Sequence, residues 1–267
     1  MKKTDGIGLP EVQAVYSGPE GDLWELIMGQ QIHIGGFRSS LDLAEKADIG
    51  KGMKGVDLCC CNGAGMRFLI RFRDVAGMTG VDATEKVIER GKKYSAEEGL
   101  SDKVNFVLAE VTKTGLPDGY SDFVWGEDAW CYVVDKDALI AEAARLVKPG
   151  GTIAFTDWIE GPKGLSDDEA QRYLKFMKFP NVQDLDGYKK LLEKHGFEVL
   201  KAEYTGRFTP YVDLYLNMID QQLTYDALKI IGFCQDTMTY LAKEMQFMQG
   251  LAHAGKIDQG LFVARKK

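Results

Sequence analysis

The segment Gly55-Val-Asp-Leu-Cys-Cys-Cys-Asn-Gly-Ala-Gly65, followed by Gly80-Val-Asp82, constrains the fold of this chain more than any other stretch. A short apolar run ends in a turn of small residues. A helical pattern follows, and a second apolar run ends in an acid. Small residues in such a turn let the backbone approach a ligand closely. Two of the positions in Cys59-Cys60-Cys61 are ones where glycine is expected, so this turn carries side chains where bare backbone is usual.

From Lys54 onward the rhythm is regular. Short apolar runs at 55–58, 76–81, 104–108, 122–125 and 153–155 read as strands. Helix-period stretches lie between them at 66–72, 85–97 and 137–146, with Gly99 closing the second and Lys148-Pro-Gly-Gly151 forming a turn. This alternation predicts an α/β fold with a parallel sheet covered by helices on both faces. Ligands of such sheets bind beyond the carboxyl ends of the strands. After Asp157 the pattern changes. A polar helical insertion is expected at about 160–182, a helix at 185–195, a strand at 197–203 and a Met-, Tyr- and Phe-rich helical block at 208–253. A last strand follows at 260–264. Residues 1–50 read as an N-terminal helical cap, with a helix at 23–28 and another at 41–46 capped by Ser39-Ser40. The remainder, 51–267, reads as one domain whose block at 208–253 covers one end of the sheet.

Asp82 ends the second strand about 20 residues after Gly63, the interval at which an acid reaches a ribose diol in nucleotide-binding α/β folds. A dinucleotide fold expects G-x-G-x-x-G, whereas the glycines here are Gly63 and Gly65 only. Glu110, just past the third strand, either accepts from an adenine amino group or is a solvated strand-end acid. The fourth strand runs into Glu127-Asp128-Ala-Trp-Cys-Tyr132, two acids among aromatics at the edge where ligands sit. Trp158 follows Asp157 at the end of the fifth strand.

These residues resemble class I S-adenosylmethionine-dependent methyltransferases. The resemblance rests on Val56-Asp57…Gly63-x-Gly65, Gly80-Val-Asp82, Ala109-Glu110, Leu116-Pro-Asp-Gly-Tyr-Ser-Asp-Phe123 and Arg145-Leu-Val-Lys-Pro-Gly-Gly-Thr152, covering about residues 50–160. It implies a Rossmann-like seven-stranded sheet with an antiparallel last strand, and S-adenosyl-L-methionine as cofactor. It also implies Asp82 and Ala83 beside the ribose, Glu110 and Val111 near adenine, and Cys59, Cys61, Gly63 and Glu127 around the methionine part. A narrower resemblance is to small-amine N-methyltransferases, those of sarcosine/dimethylglycine and of phosphoethanolamine. It rests on Tyr16, Ile32-His-Ile-Gly-Gly36, Asp128-Ala129 and Thr156-Asp157. By that likeness Tyr16 and Asp128 latch over cofactor and acceptor, His33 and Ile34 contact the cofactor, and Tyr132 and Trp158 face the acceptor. The phosphoethanolamine pattern has histidine where this chain has Tyr132 and tyrosine where it has Trp158. The implied activity is methyl transfer to a small-molecule acceptor, foremost the nitrogen of a glycine- or ethanolamine-like amine. C- or O-methylation of a hydrophobic or phenolic molecule is the alternative, and cofactor binding without catalysis is a second.

Composition narrows the partners. A net charge of -7 and a pI of about 5.2, with no Lys/Arg run longer than a dipeptide, argue against nucleic acid. No apolar stretch reaches the ~20 residues of a membrane helix. The basic start Met-Lys-Lys lacks the hydrophobic segment of a signal peptide. Five cysteines, three of them consecutive, suit a reducing compartment, because neighbours in a strand point to opposite faces. A cytoplasmic protein is expected, and a homodimer is left open. Zinc wants four ligands and only Cys131 offers a further sulfur, so the cysteine run is read as packing, with no metal. His195 is expected at a helix C-terminus and His253 on the surface.

Overall fold

In a computed structural model describing Met1–Lys267, a seven-stranded sheet has the order β4-β3-β2-β5-β6-β9-β8. Its strands are β2 (Lys54–Leu58), β3 (Gly77–Asp82), β4 (Val104–Leu108), β5 (Ser121–Glu127), β6 (Val147–Glu160), β8 (Phe197–Tyr204) and β9 (Ile257–Lys266). β2 to β6 pair in parallel, and β9 runs antiparallel between β6 and β8. This is the sheet expected from the sequence, including its reversed last strand.

Helices α4 (Ala64–Arg73), α5 (Glu85–Glu97), α6 (Lys136–Leu146) and α8 (Leu185–Lys194) cover the sheet. α5 buries Val87, Ile88, Gly91 and Ser95, one stripe of a 3.6-residue period. Gly91 has a specific reason to be bare. A Cβ there would lie 2.7 Å from the Phe106 ring and 2.8 Å from the Asn62 carbonyl, so glycine lets α5 press onto β4 and the turn after β2. One sheet face buries Val56, Leu58, Val124, Leu139, Ile140 and Phe155, and the other Leu43, Met66, Leu69, Phe123 and Trp125. Each such side chain contributes about 1.5–3 kcal/mol on burial.

The first fifty residues hold α1 (Leu9–Ser17), α2 (Pro19–Met28) and α3 (Gly36–Lys46). The extreme N-terminus is not helical: β1 (Lys2–Lys3) pairs antiparallel with β7 (Asn181–Val182), so the cap is strapped to the later insertion. Ser39 and Ser40 do not cap a helix, because they lie fully buried inside α3, whose N-cap is Gly35. The insertion after β6 contains α7 (Asp167–Met177), with a Ser166–Glu169 capping box. α9 (Phe208–Met218), α10 (Thr224–Ile230) and α11 (Gln235–His253) precede β9. Together with α2 they enclose a third apolar cluster that includes Leu23, Ile27, Trp158, Tyr173, Phe208 and Met248. The Lys148–Gly151 turn is a bulge within β6, where the pairing to β5 jumps from Ser121↔Val147 to Phe123↔Thr152.

Candidate active site

The turn after β2 is built from left-handed backbone. Cys59 has φ 66°, Cys61 φ 48° and Gly63 φ 74°. Two cysteines therefore occupy conformations that glycine adopts freely and other residues adopt at a cost of roughly 1–2 kcal/mol each. The turn is fastened in compensation. The Cys59 and Cys60 N–H groups both donate to the Val81 carbonyl, and the Cys61 N–H donates to Asp82 Oδ2 at 3.0 Å. Thr84 N–H donates to Asp82 Oδ1 at 2.9 Å, so one carboxylate holds both turns at the carboxyl ends of β2 and β3. Cys60, between its strained neighbours, has an ordinary φ and packs where a Gly80 side chain would otherwise sit. Cys61→Gly is expected to stabilise the protein by about 1 kcal/mol and Cys60→Gly to destabilise it by a similar amount. Urea unfolding midpoints of the two variants test this, and a destabilised Cys61→Gly would refute the strain assignment.

This turn forms one wall of a cavity of about 190 Å³ beyond the carboxyl ends of β2, β3 and β5. Leu9, Val12 and Tyr16 of α1 close it from above. Five of its acids converge from different elements: Asp57 from β2, Asp82 from β3, Glu110 after β4, and Glu127 and Asp128 at the end of β5. At Gly65 a Cβ would sit 2.7 Å from Glu127 Oε2, 3.3 Å from Trp125 Nε1 and 3.6 Å from Asp57 Oδ2. The bare backbone there leaves the pair of carboxylates room for a cationic group. Burial, then the neighbouring Glu127 and Asp82, push the Asp57 carboxyl well above the usual carboxylate range. Burial also raises Asp82, against the backbone N–H groups it accepts.

The cap is tied to the sheet through Asp128, a buried residue held at φ 50°. Its Oδ2 accepts from the Ile34 N–H at 2.8 Å, and both oxygens accept from Gln259 Nε2 of β9 at 2.9 and 2.8 Å. Beside it, Ser40 Oγ donates to Glu127 Oε1 at 2.7 Å, and His33 Nε2 lies 3.2 Å from that hydroxyl and 3.3 Å from the same carboxylate oxygen. At the far side of the cavity Tyr16 donates to the Tyr132 hydroxyl at 3.0 Å, with the two rings edge-to-face at 5.4 Å. Burial pushes both phenols upward, Tyr16 strongly, so they serve as neutral hydrogen-bonding groups near neutral pH. Behind this wall, burial raises the Asp157 carboxyl to about 6, opposed by Lys136 and by hydrogen bonds from Tyr188 and the Cys131 N–H.

Of the residues singled out from sequence, Tyr16, His33, Cys59, Cys61, Asp82, Ala83, Glu110, Val111, Glu127, Asp128 and Tyr132 all line this one cavity. Three do not. Trp158 is 4% exposed and packs edge-on against Phe208 and Phe179 in the cap-side core. The reason is register: β6 does not stop at Phe155 but pairs with β9 as far as Glu160, which keeps Trp158 within the sheet. Ile34 turns its side chain into the same core and offers only its backbone, the N–H to Asp128 and the carbonyl to Gln259 Nε2. Gly63 underlies the turn, where a Cβ would strike Phe106 and Met66. Sequence reasoning missed the α1 face of Leu9 and Val12 as walls, and Ser40 and Gln259 as the partners of Glu127 and Asp128. His195 caps α8 beside Asp137, and His253 is exposed beside Asp213, as expected.

An acid-lined cavity at the carboxyl edge of a seven-stranded sheet with one reversed strand defines the class I methyltransferase fold. Residues 56–155 match the family described as "Methyltransferase domain", so the chain contains a domain of that kind. Phosphoethanolamine N-methyltransferase 3 of Arabidopsis thaliana is 27% identical over 201 residues, covering 74% of this chain and 40% of the relative. The chain thus spans about two fifths of the length of that curated plant relative. Among solved structures, a protein of Galdieria sulphuraria assigned as a sarcosine dimethylglycine methyltransferase superposes with a TM-score of 0.81 at 21% identity. That match covers 93% of this chain and 98% of the other. Phosphoethanolamine N-methyltransferase 2 of Haemonchus contortus, with phosphomonomethylethanolamine and S-adenosylhomocysteine, superposes at 0.84 and 19% identity. It covers 96% of this chain and 59% of the other.

Proposed function

We propose that this protein is an S-adenosylmethionine-dependent methyltransferase acting on the nitrogen of a small amine in the cytoplasm. The observation that carries the reading is the cavity itself. A glycine-bared wall lies beside Asp57 and Glu127, a strand-end Asp82 stands where a ribose diol would meet it, and a tyrosine pair stands opposite. The residues present suit the cofactor. Asp82 keeps a lone pair on each oxygen beyond its backbone bonds, and Glu110 stands at the rim for an adenine amino group. When bound, the cofactor would supply a methyl on a sulfonium. An amine that arrives as an ammonium would first give its proton to a carboxylate or solvent, which frees the lone pair that takes the methyl as the C–S electrons go to sulfur.

The chain's own part is placement and exclusion of water. Leu9, Val12 and Tyr16 roof the cavity, and the Asp128 latch, through the Ile34 N–H, holds the segment that carries His33 against it. Tyr16 and Tyr132 line the cavity, where an aromatic ring facing a developing ammonium would contribute about 2 kcal/mol when desolvated. Asp128 accepts from the Ile34 N–H and the Gln259 amide, so its part on this reading is to hold these groups. No helix is long and apolar enough to cross a membrane, and all five thiols are unpaired, which suits a reducing compartment. Calorimetric titration with S-adenosylmethionine should show saturable binding, and addition of small amines should release S-adenosylhomocysteine. Absence of binding at millimolar cofactor would sink the reading, and turnover only with phenols or quinones would replace the amine with a carbon or oxygen acceptor.

A further inference from the structure

The cavity is lined by six carboxylates, those of Asp57, Asp82, Glu110, Glu127, Asp128 and Asp135, and by no lysine or arginine. All six belong to the cavity that Tyr16 and Tyr132 also line. Lys136, next in the chain to the lining Asp135, cannot serve the cavity. It is 3% exposed, and its ammonium is spent on the carbonyls of Val133 and Asn181 and on Asn181 Oδ1. A phosphate or carboxylate on an acceptor would therefore enter an acid-lined space with no lysine or arginine to pair it, and desolvating an unpaired anion is strongly unfavourable.

Two further groups show that the space is shaped for a ligand rather than merely acidic. His33 Nδ1 and Asn62 Nδ2 belong to cavity-lining side chains that are 4% and 1% exposed, and neither atom has a hydrogen-bond partner. Buried polar atoms are seldom left so unless a ligand or water completes them. The high Asp57 carboxyl has the same sense, since crowded acids ease when a cation arrives.

We infer that the methyl acceptor is an amine bearing no acidic group, bound as a cation. It thus differs in charge from the phosphomonomethylethanolamine held by the structurally similar Haemonchus contortus enzyme. This inference rests on the methyltransferase reading, and the test separates the two. The protein is first saturated with S-adenosylhomocysteine, with calorimetry confirming that it binds. Matched pairs are then titrated: N,N-dimethylethanolamine against its phosphate ester, and N,N-dimethylethylamine against N,N-dimethylglycine. The member without the acid should bind at least 10-fold more tightly, and kcat/KM with S-adenosylmethionine should follow. Val134 is 57% exposed at the cavity mouth, and Val134→Arg should raise affinity for the anionic members at least fivefold. Tighter binding of the anionic members to the natural chain, binding of neither amine, or an arginine variant that leaves the ratio unchanged would overturn the inference while the cofactor reading stands. Failure of S-adenosylhomocysteine to bind would remove the reading beneath it.

Discussion

Asp82→Ala is expected to weaken S-adenosylmethionine binding about 100-fold, close to 2.7 kcal/mol, measured by calorimetry at one salt concentration. Two losses add up to this. On the proposed reading the carboxylate accepts from a ribose diol, and hydrogen bonds to a charged group are each worth about 1.5–3 kcal/mol. The same two oxygens hold the Cys61 and Thr84 N–H groups, so their removal also frees a turn whose Cys59 and Cys61 are already strained. Asp82→Asn keeps one acceptor oxygen and should fall between the alanine variant and the natural chain. The measurement discriminates between the ligand role and a purely structural one. A variant that unfolds at a lower denaturant concentration but binds cofactor as tightly as the natural chain would show that Asp82 only fastens the turns. Equal affinity and equal stability would refute both roles.

Much of this site was legible because the parts that build it are local. Short apolar runs bounded by glycine specify β2 and β3, and the acid closing the second run falls where the parallel register sets it, with Asp82 opposite Leu108 and Asp57 opposite Gly80. The left-handed turn was legible from Cys59 and Cys61, which stand at positions usually glycine, and these two rather than Cys60 have positive φ. What escaped is what depends on distant partners. Gln259 meets Asp128 across 131 residues and Ser40 meets Glu127 across 87, and no periodicity in either segment encodes the pairing. Trp158 was misplaced for a related reason. Ending the strand at Phe155 is sound from its apolar run alone, but a partner strand that begins at Ile257 extends it to Glu160 and turns the tryptophan into the core. The strap of Lys2–Lys3 on Asn181–Val182 is too short to leave any sequence signal.

The Asp128 latch makes the other large prediction. Asp128→Ala should lower stability by about 3 kcal/mol and the thermal midpoint by about 6–12 °C. Alanine leaves the Ile34 N–H and the Gln259 amide buried without their acceptor, at about 1–3 kcal/mol for such groups. It also places a Cβ residue with no local hydrogen bond at φ 50°, adding roughly 1 kcal/mol. Against these stands one relief: the buried carboxylate itself is costly to desolvate, as its upward-shifted titration shows, and alanine removes that cost. The balance separates two substitutions. Asp128→Asn retains an oxygen acceptor and a residue type that tolerates left-handed backbone, so it should lose about half as much. If asparagine proves as damaging as alanine, the charge rather than the hydrogen-bond geometry holds the latch. If alanine costs less than about 0.5 kcal/mol, the cap is anchored elsewhere, through the Tyr16–Tyr132 pair and the β1–β7 strap, and closure of the cavity does not depend on Asp128.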